Sequence, residues 1–301
     1  MAPYLFLLVA VLSWAGNYVL AGGIHEQIAP VPLAFYRWLT ACVLLLPLAV
    51  PKVTAQWSLI RKHLVLLSVL GFFSVTAFNT LIYQALQVNS VINTVLINAT
   101  TPIIIIFLSR WMYGGSIRLL EIGGTLFSFA GIVLILIRAD IQHLLHFRLA
   151  ASDCWAFAAV LSWSLYSVLL KRLPEAIHPT GAMAVMFATG FAMLLPVFGL
   201  DRIVAGRGPS MTSALWGSVV YLAVFASILG YWCWNRAIEI IGARRAGPFL
   251  HLSPIFSILG AVLLLDESFH MYHLAALIMI VSGVGIVQYS SAGKNPLLPQ
   301  K

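Results

Sequence analysis

The sequence predicts an all-α integral membrane protein of ten transmembrane helices, arranged as two inverted five-helix repeats around a central cavity. Three observations carry that expectation: recurrent apolar runs of membrane length, basic residues confined to the breaks between them, and an internal repeat. Of the 301 residues, 61% are hydrophobic and 9% charged, against about 45–50% and about 25% in an ordinary soluble domain. Such a chain has too little polar surface to face water on all sides.

A hydrocarbon core of about 30 Å needs roughly 20 apolar residues per helix. Runs of that length fall at 3–22, 31–50, 64–85, 90–112, 118–138, 152–172, 180–199, 213–237, 243–265 and 271–290. The first is read as a membrane helix and not a signal peptide, because no Lys or Arg precedes it and it contains Trp14 and Asn17. The break at Gln87–Asn89 is the shortest, so the third and fourth segments are the least clearly separated.

Lys and Arg are retained in cytoplasmic loops. With the amino terminus inside, the inner breaks hold Lys52, Arg61, Lys62, Arg110, Arg118, Lys171, Arg172, Arg236, Arg244, Arg245, Lys294 and Lys301, and the outer ones only Arg138, Arg148, Arg202 and Arg207. Both termini are therefore expected in the cytoplasm of a multi-pass inner-membrane protein. The net charge of +8 follows from this topology, and nucleic acid is not expected as a partner. Cys42, Cys154 and Cys233 sit inside apolar runs without metal-like spacing, which favours small lipid- or core-facing residues over a disulfide framework or a metal site.

The repeat is the strongest internal signal. A shift of 152 lays Ala85 on Ala237, Pro102 on Pro254, Ile103 on Ile255 and Gly131 on Gly283; a shift of 149 lays Leu12-Ser13-Trp14 on Leu161-Ser162-Trp163. Residues 1–140 and 150–290 thus form two halves, with 291–301 as a cytoplasmic tail. Five helices is an odd number, so the second half enters the membrane upside down. Inverted repeats give secondary transporters two alternately exposed states, with a binding site near the midplane.

Polar and aromatic stripes at helical spacing mark faces turned from lipid. They comprise Ser90, Thr94, Asn98 and Thr101 in the fourth segment, Thr76, Asn79 and Tyr83 in the third, Ser227, Tyr231 and Trp234 in the eighth, Trp155, Ser162 and Tyr166 in the sixth, and Ser13 or Trp14 with Asn17 in the first. Each such hydroxyl or amide is read two ways, as cavity lining or as interhelical glue. Trp57, Trp111 and Trp216, near segment ends, read as interfacial anchors, whereas Trp14, Trp163 and Trp234 lie deeper. Pro102 and Pro254 interrupt their helices at duplicated positions and are expected hinges that free a backbone carbonyl.

Few ionisable groups are deep. Glu121, Asp153, Glu239, Asp266 and Glu267 lie near segment ends, where capping or loop pairing is expected. Arg37 lies about a turn and a half inside the outer surface, able either to snorkel or to recognise an anion. His251, beside Pro254, is the titratable residue best placed for a cavity role.

The stretch Gly230-Tyr231-Trp232-Cys233-Trp234-Asn235-Arg236-Ala237, the mid-helix Pro254, the Leu265-Asp266-Glu267 end and the first-half counterparts Tyr83-Gln84-Ala85 and Pro102 together resemble the drug/metabolite transporter superfamily. The resemblance is to its EamA-type ten-helix exporters, and GYWCWN is similar to their aromatic amino-acid group. That subgroup has aromatic residues before the proline of the fourth helix, where this chain has Asn98-Ala99-Thr100-Thr101, and Gly114-Gly115 stands where the second half has Asp266-Glu267.

The resemblance implies a central cavity, fifth and tenth helices to the side, and export of amino acids or related small polar metabolites. The expected site is Trp14, Asn17, Asn79, Tyr83, Asn98, Thr101, Trp163, Tyr166, Tyr231, Trp234 and His251. The expected partners are a small-molecule substrate and membrane lipid, with no cofactor, no metal and no catalytic residue, in a monomer or weak homodimer. A flippase for a lipid-linked head group and an intramembrane enzyme are the alternatives; for the latter, His251 and Ser253 are two apart and point away from each other. The topology predicts that single cysteines at Gln142 and Lys62, in a cysteine-free background, react with an impermeant maleimide from opposite sides. Labelling from one side alone contradicts it.

Overall fold

The computed structural model describes residues 2–24, 27–88, 91–137, 151–205, 211–264 and 270–292, and all regular structure among them is helical. Ser90, Arg138, Arg148, Arg207, Leu265, Asp266, Glu267 and the tail from Lys294 lie outside the described residues. The first half comprises α1 (Ala2–Ile24), α2 (Pro30–Ala55), the short α3 (Trp57–Lys62), α4 (Leu64–Gly71), α5 (Phe78–Val88), α6 (Val91–Asn98), α7 (Thr101–Tyr113) and α8 (Leu119–Leu136). The second comprises α9 (Cys154–Leu169), α10 (Pro179–Ala205), α11 (Ser213–Tyr221), α12 (Gly230–Ile241), α13 (Ala243–Ala246), α14 (Ser253–Leu264) and α15 (Met271–Ala292).

Eight helical runs among the described residues are long and apolar enough to cross a membrane. They coincide with all the expected segments except the first and ninth. In α1 only Ala2–Asn17 counts as a shorter apolar helix. The ninth segment is divided into α13, a 3-10 stretch at Gly247–Leu252, and α14. Large apolar side chains such as Leu5, Val65, Phe107, Leu119, Ile203 and Ile278 are exposed, while Trp38, Trp234, Tyr166, Tyr231 and Phe187 are fully buried. Exposure of apolar surface beside a packed aromatic interior is what lipid as solvent permits. Trp57, Trp111 and Trp216 are exposed, as interfacial anchors require.

The helix ends follow their sequences. Pro30 opens α2 at a position where its missing N–H costs nothing. Thr212 caps α11 by accepting from the Leu215 N–H at 3.2 Å. Glu121 accepts from the Arg118 backbone N–H at 3.2 Å at the start of α8, the capping role expected of an acid there. Gly114 (φ 71°) and Gly242 (φ 80°) close α7 and α12 in a left-handed conformation that glycine adopts without strain.

Four segments, the third, fourth, eighth and ninth, are not regular α-helices. A π-helical stretch, Phe72–Ala77, lies between α4 and α5, and another, Leu222–Leu229, between α11 and α12. They begin at residues 72 and 222, a separation of 150 that matches the repeat. The fourth segment is broken at Ala99–Thr100, immediately ahead of Pro102. Pro102 therefore sits in the first turn of α7, and Pro254 in the first turn of α14, each at a break and not inside a continuous helix.

Several contacts join a residue to its own repeat counterpart. The Trp14 and Trp163 rings meet edge to face at 5.2 Å, and His251 Nε2 lies 2.9 Å from the Ala99 carbonyl, across 152 residues. Contacts between counterparts are what a two-fold relation generates beside its axis.

The pairing of α8 with α15, the largest interface between two elements, has the same reciprocity. A Cβ on Gly124 would lie 2.7 Å from the Gly283 carbonyl, and one on Gly131 would lie 3.0 Å from the Ala276 carbonyl. The 152-residue shift exchanges Gly124 with Ala276 and Gly131 with Gly283, and rising numbers on α8 meet falling numbers on α15, so the two helices are antiparallel. Close approach of small residues is the usual basis of helix pairing in lipid. Gly283→Val is therefore expected to cost about 1–3 kcal/mol and lower the melting temperature in detergent, whereas Gly285→Ala, whose added methyl meets nothing within 4 Å, leaves it unchanged.

Candidate functional site

The π-helical stretch ahead of α12 turns Ser227, Tyr231 and Trp234 inward, and Tyr231 becomes the hub of an aromatic cluster. Its ring lies 5.3 Å from Trp38, 5.5 Å from Trp163, 5.5 Å from Phe187, 6.0 Å from Tyr166 and 6.1 Å from Trp14. Trp14 also lies 5.4 Å from Trp234. The rings come from α1, α2, α9, α10 and α12, so both halves contribute. Trp14, Trp163, Tyr166, Tyr231 and Trp234 are brought together as the sequence led one to expect. Trp38 and Phe187 were missed; Trp38 is as deep in its segment as the tryptophans that were chosen, and that depth was the available signal. Trp155, placed by its spacing on the stripe of Ser162 and Tyr166, is instead exposed in the first turn of α9.

A π-helical turn carries an extra residue and bonds i to i+5 in place of the regular ladder. Side chains add donors to the carbonyls there. The Ser74 carbonyl accepts from the Tyr231 hydroxyl at 2.8 Å and from Asn79 Nδ2 at 2.9 Å. The Phe73 carbonyl accepts from the Ser162 hydroxyl at 2.8 Å. In the second half, the Ala226 carbonyl accepts from Trp14 Nε1 at 2.9 Å and from Arg37 Nη2 at 3.2 Å. Most of these bonds cross between the halves. Elsewhere in the cluster, the Tyr166 hydroxyl donates to Asn235 Oδ1 at 2.5 Å and Trp234 Nε1 to Ser167 at 3.3 Å. The indole N–H groups of Trp38 and Trp163 are buried without an acceptor.

Arg37 is 3% exposed. It does not snorkel. Its guanidinium donates to Ser227 at 2.7 Å, the Tyr83 hydroxyl at 3.2 Å, Asn17 Oδ1 at 3.4 Å and the Ala226 carbonyl. These acceptors are neutral, and no carboxylate pairs with Arg37 among the described residues. Asn17 and Tyr83, expected from sequence, thus hold a cation whose burial the sequence left open, while Asn79, also expected, donates to the Ser74 and Val75 carbonyls.

The remaining expected residues form a second group at the helix breaks. Pro102 deprives the Asn98 carbonyl of its helical donor, and the Thr101 hydroxyl takes that place at 2.5 Å. His251 is 1% exposed and lies between Ser128 and the backbone of Ala99. Since a carbonyl only accepts, Nε2 carries the proton; neutral Nδ1 then accepts from the Ser128 hydroxyl at 2.6 Å. The tautomer is inferred from these partners. Among the described residues, no three His, Cys, Asp or Glu side chains come together as a metal cluster.

The basic ends of the helices are laced separately. Arg244 pairs with Glu121 at 2.5 Å and donates to the Ser116 carbonyl at 3.1 Å. Arg245 donates to the Tyr4 hydroxyl at 2.6 Å, Gln56 bonds the Ala176 carbonyl and the His178 N–H, and the Tyr113 hydroxyl donates to the Val168 carbonyl at 3.0 Å. Each of these contacts joins the first half to the second.

Comparison with known proteins places this arrangement. The model of the EamA-like transporter family matches residues 1–137 and 150–289. An uncharacterized transporter of Archaeoglobus fulgidus (strain ATCC 49558) is 27% identical over 294 residues, covering 93% of this chain and 95% of its own length. The uncharacterized transporter YyaM of Bacillus subtilis (strain 168) is 25% identical over 280 residues, covering 87% and 90%. A probable amino-acid metabolite efflux pump of Escherichia coli (strain K12) is 26% identical over 137 residues, covering 43% and 45%. A solved crystal structure superposes with a TM-score of 0.76 over 96% of this chain and 97% of its own at 18% identity, a likeness of fold. The chain belongs to the EamA-like transporter family of the drug/metabolite transporter superfamily and is a multi-pass membrane transporter.

Proposed function

We propose that this transporter exports amino acids or related small polar metabolites across the inner membrane by alternating access, with broad specificity and both termini in the cytoplasm. The observation that carries the reading is the contact between repeat counterparts, Trp14 with Trp163 in the aromatic cluster to which both halves contribute, and Ala99 with His251 at the helix breaks. Together with the antiparallel α8–α15 pair, these contacts support two inverted five-helix halves, 1–140 and 150–290. A two-fold pseudo-axis through the site makes the two directions of opening related packings of one set of contacts. The aromatic rings suit an apolar side chain, and the hydroxyl and amide groups of Asn17, Asn79 and Tyr83 suit its polar end. The breaks at Pro102 and Pro254 are the hinges of this scheme, and the laced basic ends its cytoplasmic gate. The E. coli efflux pump supports the amino-acid class through the part of the chain it matches.

Ser128 and His251 have the separation of a nucleophile and base, but both are buried and His251 holds a backbone carbonyl with its other nitrogen. We read the pair as a structural lock, and the protein as no enzyme. Purified protein in liposomes is expected to give saturable, stereoselective counterflow of labelled amino acids. Tyr231→Phe, which removes the donor to Ser74 while Asn79 still holds that carbonyl, is expected to reduce the flux at least five-fold with little change in melting temperature. Scrambling of lipid head groups without amino-acid flux would favour the flippase alternative.

A further inference from the structure

Resting on the reading of this cluster as the transport site, we propose that the Arg37 guanidinium is its anchoring point for a single carboxylate. The preferred ligands are then apolar monocarboxylates, whether or not they carry an ammonium group.

Arg37 is buried within a membrane-spanning helix of the protein with neutral partners, a costly arrangement that in membrane proteins marks a functional group. Its longest bond, 3.4 Å to Asn17, and the 3.2 Å bonds to Tyr83 and Ala226 exceed the usual 2.7–2.9 Å of charge-assisted contacts. A ligand with stronger acceptors can therefore displace them. The planar fork of a guanidinium matches the two oxygens of a carboxylate.

The surroundings supply donors of the same kind. The guanidinium carbon lies 5.1 Å from the Trp38 ring centroid, and Trp38 Nε1 is buried without an acceptor. Trp163 Nε1 is likewise orphaned, although its repeat counterpart Trp14 donates to the Ala226 carbonyl that Arg37 also holds. Trp38 and Trp163 both abut Tyr231. Buried donors without acceptors are rare in native structures and call for a ligand or water. One cation balances one negative charge, so a monocarboxylate fits where a phosphate dianion leaves excess charge in a low-dielectric site. The groups around Arg37 are hydroxyl, amide and backbone carbonyl, so the ammonium of an amino acid gains no ion pair with them.

The shell also divides between the halves. Asn17 and Tyr83 belong to the first, and Ser227 and Ala226 to the second. A carboxylate that takes over the long bond to Ala226 leaves Arg37 tied to the second half through Ser227 alone, which couples occupancy to movement of one half against the other.

Calorimetric titration of the purified protein with N-acetylphenylalanine, phenylalanine, N-acetylphenylalaninamide and inorganic phosphate tests the assignment. The two carboxylates are expected to bind within a few-fold of each other and at least ten-fold more tightly than the amide or phosphate. Arg37→Gln is expected to abolish that preference while leaving the amide unaffected. Arg37→Lys keeps the charge but loses the fork, so several-fold weaker carboxylate binding is expected; it decides the matter should Arg37→Gln fail to fold. The proposal is overturned by equal binding of acid and amide, tighter binding of phosphate, no binding of either acid, or wild-type acid affinity in the Arg37 variants. Arg37-dependent acid binding without amino-acid flux in liposomes would sink the exporter reading and leave this site standing.

Discussion

In lipid, a backbone carbonyl that loses its helical donor has no water to turn to, and an unsatisfied buried polar group costs several kcal/mol. This constraint organises the centre of the protein. At the π-helical stretches and the break before Pro102, the carbonyls of Phe73, Ser74, Asn98, Ala99 and Ala226 each receive a side-chain donor. For all but Asn98 a donor comes from the opposite half. The irregularities that weaken individual helices thus also tie the halves together, and the tie lies among the residues proposed to meet a substrate.

Polar contacts between membrane helices average only about 0.6 kcal/mol, so a handful of such bonds holds a packing without making it permanent. Close glycine contacts behave differently. The α8–α15 pair is built on backbone approach at Gly124, Gly131 and Gly283, which admits little sliding. The molecule therefore combines a tightly packed lateral pair with a central set of exchangeable hydrogen bonds.

Much of this was legible in the sequence, because membrane length and internal repetition are long-range signals that survive errors at single positions. The eight long spans coincide with expected segments, and deep aromatic residues at helical spacing found Trp14, Trp163, Tyr231 and Trp234. The π-helical stretches were not legible, since one inserted residue leaves no periodicity of its own over six or eight residues. Arg37 was ambiguous for another reason. Distance from the membrane surface allows a long side chain to snorkel, and only the acceptors supplied by α1, α5 and the second π-helical stretch draw it inward. Trp155 shows the converse, a residue in phase with a buried stripe that lies exposed in the first turn of its helix.

The two irregular elements of each half also divide the work. In a two-fold arrangement, a feature on the axis is shared, whereas a feature off the axis occurs twice and can be used unequally. Trp14 and Trp163 meet at the axis, yet Trp14 donates to Ala226 and Trp163 donates to nothing. Arg37 deepens the asymmetry, for the 149-residue shift that relates the tryptophans puts Met186 at the corresponding place in the second half. In the proposed alternating-access scheme, the two-fold relation supplies two related packings, and the unequal donors distinguish them. A ligand shifts such an equilibrium only through its differential affinity for the two states. Under the proposed scheme, the cation held jointly by both halves is the group whose partners change between those states.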